Sequence, residues 1–328
     1  MILQIVLMII GFILLIKGAD LLVEGGSNIA KRFHIPEIII GLTIVSIGTS
    51  MPELMVSLTS ALEGHSDISI GNVIGSNIAN LLLILGMCAM IKNLKFKKET
   101  KYFESPFALF VAILLFLLAN NNLNRQANTI SRAEGIILLL LCIVFIIYNI
   151  IMAKKGEEFD GINTQLVITN IEITSTRYLI RSIIFILIGI ICLKFGGDFV
   201  VNSASNLARM LGMSEKIISL TIIAVATSLP ELVTSIIATK KGEIDMAIGN
   251  IIGSCIFNIV LIIGVSAVIT PITYSIAYNK DLIILIGATL LLSLFPFIGK
   301  KDEMTKNNGI IYFIAYVAYM INLVITNL

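Results

Sequence analysis

Charged residues are scarce in this chain: they make up 13% of its 328 residues, against about 25% in soluble proteins. Apolar residues account for 57% of the sequence, and the mean hydropathy is +0.99. A water-soluble domain is therefore excluded. The net charge is only +2, which gives no reason to expect nucleic acid as a partner.

Two further features are also missing. The four cysteines lie singly in apolar segments without paired spacing, which argues against a disulfide framework or a cysteine metal site. No basic stretch precedes the first apolar segment, and that segment continues through Asp20. We therefore expect the first segment to be a retained helix rather than a cleaved signal peptide.

Long apolar runs dominate what is present. A helix needs about 20 apolar residues to cross a bilayer. Ten segments meet this length, at approximately 2–30, 36–62, 68–91, 103–121, 131–153, 180–209, 215–239, 244–270, 281–298 and 309–326. The predicted fold class is an all-α integral membrane protein with ten transmembrane helices. The first and sixth helices exceed the bilayer thickness, so we expect them to be tilted.

The chain contains an internal duplication. Residues 18–86 align without a gap on residues 196–264, and 31 of the 69 positions are identical. The only sizeable hydrophilic connection is 154–178. The predicted organisation is two five-helix halves and a linker: 1–153 with a signature repeat at 36–91, the cytoplasmic linker 154–178, and 179–328 with a signature repeat at 215–270.

The basic residues predict the orientation. Sixteen Lys and Arg residues lie in or beside one alternate set of loops and five in the other set. Because loops rich in Lys and Arg stay in the cytoplasm, both termini are predicted to be extracytoplasmic. Each half has an odd number of helices, so the second half should enter the membrane upside down. The prediction is therefore two inverted repeats.

Identity is concentrated in two motifs. The first reads Gly-Thr-Ser-Met-Pro-Glu at 48–53 and Ala-Thr-Ser-Leu-Pro-Glu at 226–231. The second reads Gly-Asn-x-Ile-Gly-Ser-x-Ile-x-Asn at 71–80 and again at 249–258. The first motif thus places an acidic residue, Glu53 or Glu231, in the middle of a membrane segment in each half. Ionisable groups are costly in hydrocarbon, so both are candidates for a functional site.

The surrounding residue types favour hard cations. Ser50, Glu53 and Ser57 lie at helical spacing and share one face. In the next segment Asn72, Ser76 and Asn80 also share a face. These faces present oxygen and no repeated histidine or thiolate, a ligand set that suits Ca²⁺ or Na⁺ better than zinc or copper.

Proline adds to this prediction. Pro52 and Pro230 lack the N–H that would bond the carbonyl four residues back. We therefore expect free backbone carbonyls in the segments 46–49 and 224–227, facing a cavity. Two opposed carboxylates would repel each other, and one Ca²⁺ or several Na⁺ would neutralise them. Mutually exclusive binding is sufficient to make an exchanger, and proton competition should weaken transport as the pH falls.

At these motifs the chain resembles the sodium/calcium exchanger family, within the wider cation/Ca²⁺ exchanger superfamily. The resemblance covers both signature repeats and implies a compact, prokaryote-type transporter without the large regulatory region of animal exchangers. It implies Ca²⁺ and Na⁺ as transported substrates in a plasma membrane, with membrane lipid around the protein. It implies no cofactor, no enzymatic activity and no protein partner.

The resemblance also implies ligand roles. Glu53 and Glu231 match the glutamates that Ca²⁺ and Na⁺ share in this family. The family's further ligands map onto ten positions: the Ca²⁺ site's backbone carbonyls at Thr49 and Thr227, the Na⁺ sites' Ser50, Ser228, Ser76 and Ser254, the backbone oxygens of Ser46 and Ala224, and the central polar Asn80 and Asn258. In K⁺-dependent members an aspartate stands at the position of Asn258, so the asparagine favours a K⁺-independent exchanger.

Simpler interpretations exist for some of these residues. The repeated glycines, such as Gly249 and Gly253, also suit close helix packing, and Ser57 and Ser235 also suit bonding to their own helix. Asp20 is duplicated too, but Lys17 precedes it, so we expect a self-neutralised pair. A similar pair is expected at Asp198.

The predicted function is antiport of Na⁺ and Ca²⁺ by alternating access. A Ca²⁺/H⁺ antiporter or a K⁺-dependent Na⁺/Ca²⁺ antiporter is an alternative on the same scaffold. A cation channel is an alternative of another class, because inverted repeats also build pores. A membrane hydrolase using both acids is the weakest alternative, since nothing near them suggests an activated water.

Overall fold

The computed structural model of the protein describes residues 1–63, 66–121, 128–163, 176–212, 226–298 and 302–327. These residues are almost wholly helical. In chain order the helices are α1 (Ile2–Phe33), α2 (Glu37–Thr49), α3 (Met51–Leu62), α4 (Ser69–Ile91), α5 (Thr100–Ala119), α6 (Arg132–Asn163), α7 (Thr176–Met210), α8 (Leu229–Lys241), α9 (Ile244–Ile269), α10 (Ile276–Phe297) and α11 (Lys306–Asn327).

The helices confirm an all-α integral membrane protein. Eight of those described are long and apolar enough to cross a bilayer, and α2 with α3, bent by 47° relative to each other, is a candidate for a ninth span. The seventh predicted span, 215–239, is described only from residue 226 onward. The count of ten helices and the division into halves therefore stay predictions.

The buried fraction of each helix shows how close it lies to the centre of the molecule. In their most apolar stretches α4 and α9 are 72% and 83% buried, whereas α6 and α11 are 22% and 17% buried. The outer helices expose isoleucine, leucine and valine along their length. Apolar surface of this kind is stable only against lipid acyl chains. Helices α4 and α9, which carry the second motif, thus lie at the centre of the molecule.

Helices α1 and α7 form one antiparallel pair. Gly11 packs on Gly196 and Gly18 on Gly189, and a Cβ added to either residue of the first helix would lie 2.8 Å from the facing carbonyl oxygen. The spacing of seven residues keeps the glycines on one face of each helix. Because the glycines lack side chains, the two backbones come into direct contact.

Two short antiparallel bridges tie the loops together. Strand β1 (Leu94–Lys95) pairs with β4 (Glu303–Met304), and β2 (Thr129–Ile130) pairs with β3 (Ile272–Thr273). Strands β1 and β3 occupy matching positions of the two repeats, 178 residues apart. Each bridge joins a loop of the first half to a loop of the second half.

Several helix ends differ from the predicted ones. Helix α5 begins at Thr100 rather than 103 because Lys101 is buried and its amine lies 2.7 Å from Asp302 Oδ1 and 3.2 Å from the Pro296 carbonyl. Helices α6 and α7 extend into the predicted linker at both of its ends. The ion pair of Lys101 with Asp302 cannot be predicted from the sequence pattern around Lys101.

The expected pair of Asp20 with Lys17 is wrong. Asp20 instead pairs with Lys241 of α8, whose amine lies 2.5 Å from its carboxylate. Within the described residues no ion pair joins Asp198 to Lys194; the Lys194 amine lies over the ring of Phe195. Asp20 therefore pairs with a residue of another helix rather than with a neighbour on its own helix.

Candidate cation-binding site

The backbone breaks at the same place in both repeats. Ser50 has φ −84° and ψ 8°, and Ser228 has φ −84° and ψ 5°. A proline follows each break within the first two positions of α3 and α8, where its missing N–H has no intrahelical partner to lose. Glu53 and Glu231 thus lie in the first turn of a helix, where the helix dipole favours negative charge.

Both glutamates are completely buried and surrounded by hydroxyl groups. Their exposed fraction is 0%. The Ser50 hydroxyl lies 2.8 Å from Glu231 Oε1 and 3.0 Å from Ser254 Oγ. On the other side, Ser76 and Thr227 face Glu53. Each glutamate is therefore approached by motif hydroxyls of both repeats: Glu53 by Ser76 and Thr227, and Glu231 by Ser50 and Ser254.

A second reciprocal contact joins the repeats. The Thr49 hydroxyl lies 3.1 Å from the amide oxygen of Asn250, and the Thr227 hydroxyl lies 3.4 Å from that of Asn72. The offset of 178 residues relates Thr49 to Thr227 and Asn72 to Asn250, so each contact is the counterpart of the other. The two motifs of one repeat thus meet the two motifs of the other at a common centre.

Several buried oxygen atoms in this centre accept no hydrogen bond from the described residues. They are both carboxylate oxygens of Glu53, Oε2 of Glu231, the amide oxygens of Asn80 and Asn258, and Oγ of Ser228. An unsatisfied buried polar atom costs about 1–3 kcal/mol. Cations bound among these oxygens would satisfy them all, so the donor set fits hard cations as cargo.

The asparagines lie at irregular turns. Asn80 is in the π-helical turn Ala79–Leu85 and Asn258 begins the turn Asn258–Ile263. Turns of this kind are frequent at functional sites. Asn258 donates to the amide oxygen of Asn77 at 2.9 Å, and Asn77 donates to the Cys255 carbonyl at 3.0 Å. The repeated motifs do not identify Asn77, because its matching position in the second repeat is occupied by Cys255.

The same hydrogen bond occurs once in each half, between α3 and α4 and between α8 and α9. Asn72 donates to the Ser57 hydroxyl at 3.0 Å, and Asn250 donates to the Ser235 hydroxyl at 2.9 Å. Ser57 and Ser235 thus accept a hydrogen bond from the neighbouring helix. This role differs from the bonding within their own helix that their sequence positions suggest. These bonds fix the asparagine side chains beside the glutamates.

The expectation that the Ser46 carbonyl is free of hydrogen bonds is wrong, whereas its role as a cation ligand stays a prediction. Its oxygen accepts the Ser50 N–H at 3.0 Å and lies 3.3 Å from the Thr49 hydroxyl. The Ser46 oxygen therefore keeps its helical bond to the Ser50 N–H at the break. Ala224 lies outside the described residues, and its role as a ligand stays a prediction.

Two clefts reach the motif threonines. One of about 240 Å³ is lined by Thr49, Pro52 and Ile190 of α7. The other, of about 160 Å³, contains Thr227, Val56 and Asp198 of α7. No cluster of three or more histidine, cysteine or acidic side chains suited to a metal occurs in the described part of the chain. The centre instead combines two carboxylates with hydroxyl and amide oxygens.

One buried acid lies outside the repeats. Glu104 on α5 is 0% exposed, and among the described residues no donor bonds either carboxylate oxygen. The Thr100 side chain, one turn earlier on the same helix, faces this carboxyl group. A carboxylate inside an apolar segment signals this residue, but its position is not duplicated, and it lies on a helix outside the centre.

The fold and the centre define a class of protein. The bundle of membrane helices holds two buried acids at its centre, beside oxygen atoms that accept no hydrogen bond. Such a centre is suited to carrying cations. The family model for "Sodium/calcium exchanger protein" matches residues 3–151 and 181–325. The chain therefore belongs to the sodium/calcium exchanger family, and it is a membrane antiporter that exchanges cations, not an enzyme.

Individual relatives agree. The chain is 36% identical to CaxA of Alkalimonas amylolytica, covering 97% of this chain and 98% of that protein. It is 31% identical to the sodium/calcium exchanger MaX1 of Methanosarcina acetivorans, covering 96% and 97%. It is also similar to a solved structure of the sodium-calcium exchanger NCX_Mj soaked with Na⁺ and Ca²⁺, with a TM-score of 0.80, 30% identity and 97% of each chain covered.

Proposed function

We propose that the protein exchanges Na⁺ for Ca²⁺ across the plasma membrane, and that both ions bind between Glu53 and Glu231. The observation that carries the proposal is the pair of wholly buried carboxyl groups beside oxygen atoms that accept no hydrogen bond. Ca²⁺ takes six to eight oxygen ligands. The carboxylates, hydroxyls and asparagine amides around the break can supply them.

Charge balance explains why the two ions exclude each other. One Ca²⁺ neutralises both carboxylates, and several Na⁺ bound to the same carboxylates and the neighbouring hydroxyls do the same. Loading both ion types together would leave excess positive charge in a low-dielectric centre. The binding site therefore switches between the two membrane faces with only one ion type bound, which couples the two gradients.

The central helices hold the site while the outer pair moves. Helices α2, α3, α4, α8 and α9 carry the motif residues, and the glycine-packed pair α1 and α7 slides past them. The two repeats are inverted, so matching paths open in turn on opposite faces. With both termini extracytoplasmic, α3 ends at the outer face and α8 at the cytoplasmic face.

Isotope flux in proteoliposomes tests the exchange. Vesicles loaded with Na⁺ and diluted into Na⁺-free buffer should accumulate ⁴⁵Ca²⁺, whereas vesicles with equal Na⁺ on both sides should not. Uptake driven by a pH gradient alone would favour the Ca²⁺/H⁺ alternative and reject the proposal. Ca²⁺ current that needs no Na⁺ on the opposite side would identify a channel. A requirement for K⁺ would identify the K⁺-dependent alternative.

Acidification should weaken exchange by competition. A proton bound to Glu53 or Glu231 removes the charge that a cation needs, so the Ca²⁺ concentration giving half-maximal uptake should rise as the pH falls. Because protons and Ca²⁺ compete for the same oxygens, saturating Ca²⁺ should restore the maximal rate. Initial uptake rates at several pH values measure both parameters. A maximal rate that falls at constant half-saturation would contradict competition at these glutamates.

A further inference from the structure

Matching positions of the two repeats differ in their exposure. Val56 on α3 is 39% exposed, whereas its counterpart Thr234 on α8 is 1% exposed. Val201 on α7 is partly exposed, whereas its counterpart Val23 on α1 is 0% exposed. The path beside α3 and α7 is therefore open, and the matching path beside α8 and α1 is closed. We call these the open side and the closed side.

Apolar packing and an ion pair seal the closed side. Val233 and Ile237 of α8 are partly buried and pack against the buried cluster that contains Ala19 and Val23 of α1. At the rim the Lys241 amine reaches Asp20 twice, at 2.5 Å from Oδ1 and at 3.2 Å from the carbonyl oxygen. Both side chains are partly exposed, at 35% and 40%. The ion pair thus spans the two helices that must separate for this side to open.

Other polar contacts near this rim have different partners. Arg181 of α7 lies 3.7 Å from Glu24 of α1, but both helices belong to the moving pair, so this contact is kept during sliding. The Ser27 hydroxyl lies 3.0 Å from Glu243, and Lys31 lies 3.8 Å from it. These two contacts also cross from α1, and they join the connection before α9 rather than α8.

The open side cannot form the same ion pair. The counterpart of Asp20 is Asp198, which lines the 160 Å³ cleft. The counterpart of Lys241 is Glu63 at the end of α3. Two carboxylates would face each other if this side closed in the same way, and like charges repel. The duplication therefore preserves the acid on the moving helix and reverses the charge of its partner.

We propose that the Asp20–Lys241 ion pair is a latch on the closed side, and that the reversed charge at Glu63 leaves the other side without one. The latch biases the carrier toward the state that is open beside α3 and α7. This inference rests on the proposed alternating access, but it concerns the balance between the two states rather than the identity of the ions. Asp20 and Lys241 are positioning residues that do not contact the transported cations.

Thiol labelling measures both sides at once. The full-length chain, with its four native cysteines replaced by alanine, carries either Thr234→Cys on the closed side or Val56→Cys on the open side. The probe is a small cationic methanethiosulfonate applied to protein in nanodiscs, at fixed Na⁺ and without Ca²⁺. The latch variants are Lys241→Met and Asp20→Asn, and Lys240→Met on the adjacent exposed lysine is the matched control.

An exposed ion pair shifts an equilibrium by about two- to fivefold. Labelling at Thr234→Cys should therefore accelerate about two- to fivefold in both latch variants, while labelling at Val56→Cys slows. The reversed pair Asp20→Lys with Lys241→Asp should restore the original rates, and Lys240→Met should leave them unchanged.

Three outcomes would overturn the latch. They are unchanged labelling at Thr234→Cys in both latch variants, equal acceleration by Lys240→Met, and acceleration at both reporters together, which would indicate a loosened fold. Labelling requires no transport, so a failure here is separate from a failure of the Na⁺-driven flux assay. Monodisperse elution of each variant establishes that it is folded.

Discussion

Glu53→Gln and Glu231→Gln should each abolish Na⁺-driven Ca²⁺ uptake while leaving the protein folded. Glutamine has nearly the same shape as glutamate but lacks its charge. Changing an outer partner of a metal ligand costs about 10–100-fold in affinity, and loss of a direct carboxylate should cost at least as much. Because both glutamates are buried beside unsatisfied oxygens, no water-exposed group can replace the lost charge.

The chain offers a matched control for this result. Glu104 is equally buried in a neighbouring span but lies outside the central site, so Glu104→Gln should keep exchange. Flux assays on proteoliposomes with equal protein content compare the three variants, and calorimetric Ca²⁺ titration separates lost binding from lost movement. Exchange retained by either central variant, or lost equally in Glu104→Gln, would refute the two-glutamate site.

The membrane fold was predictable because its signals are long and repeated. A span needs about 20 apolar residues, and such runs are unambiguous even without local detail. The duplication then identified the central residues, since Glu53 and Glu231 recur at the end of the same Thr-Ser-x-Pro-Glu motif in both halves. Pro52 and Pro230 also indicated the positions of the breaks, and the bend of 47° between α2 and α3 lies immediately before the first of them.

The errors come from contacts between distant residues. Asp20 pairs with Lys241, 221 positions away, instead of its neighbour Lys17. Lys101 is buried because Asp302 and the Pro296 carbonyl receive its amine. Local spacing predicts which groups are able to meet along one helix, but tertiary packing decides which of them do.

The repeat itself also concealed part of the site. Searching for identical pairs passes over positions at which the two halves differ, and Asn77 matches Cys255. Yet these two residues meet, since Asn77 donates to the Cys255 carbonyl at 3.0 Å. A pseudo-symmetric centre brings matching positions together whether or not their side chains are alike. Differences between the halves, such as Glu63 against Lys241, are therefore as informative as identities.

Gly249→Ala should destabilise the protein and impair exchange together. A Cβ at this position would lie 2.9 Å from the Leu42 nitrogen and closer still to the Ile38 carbonyl oxygen. Both are backbone atoms of α2, so neither can rotate away. Overpacking of this kind costs about 1–3 kcal/mol. It would also push α9, which carries Asn250 and Ser254, away from the helix that precedes the first break.

Gly287→Ala is the matched control for this prediction. Within the described residues nothing lies within 4 Å of a Cβ added to Gly287 on α10. Alanine is favoured over glycine inside a helix by about 0.5–1 kcal/mol, so this variant should be unchanged or slightly more stable. Thermal unfolding in detergent measures the sign of each change, and flux measures its effect on exchange. Equal stability of the two variants would mean that α2 and α9 are not in backbone contact, and the central site would then lack the support that holds its ligands together.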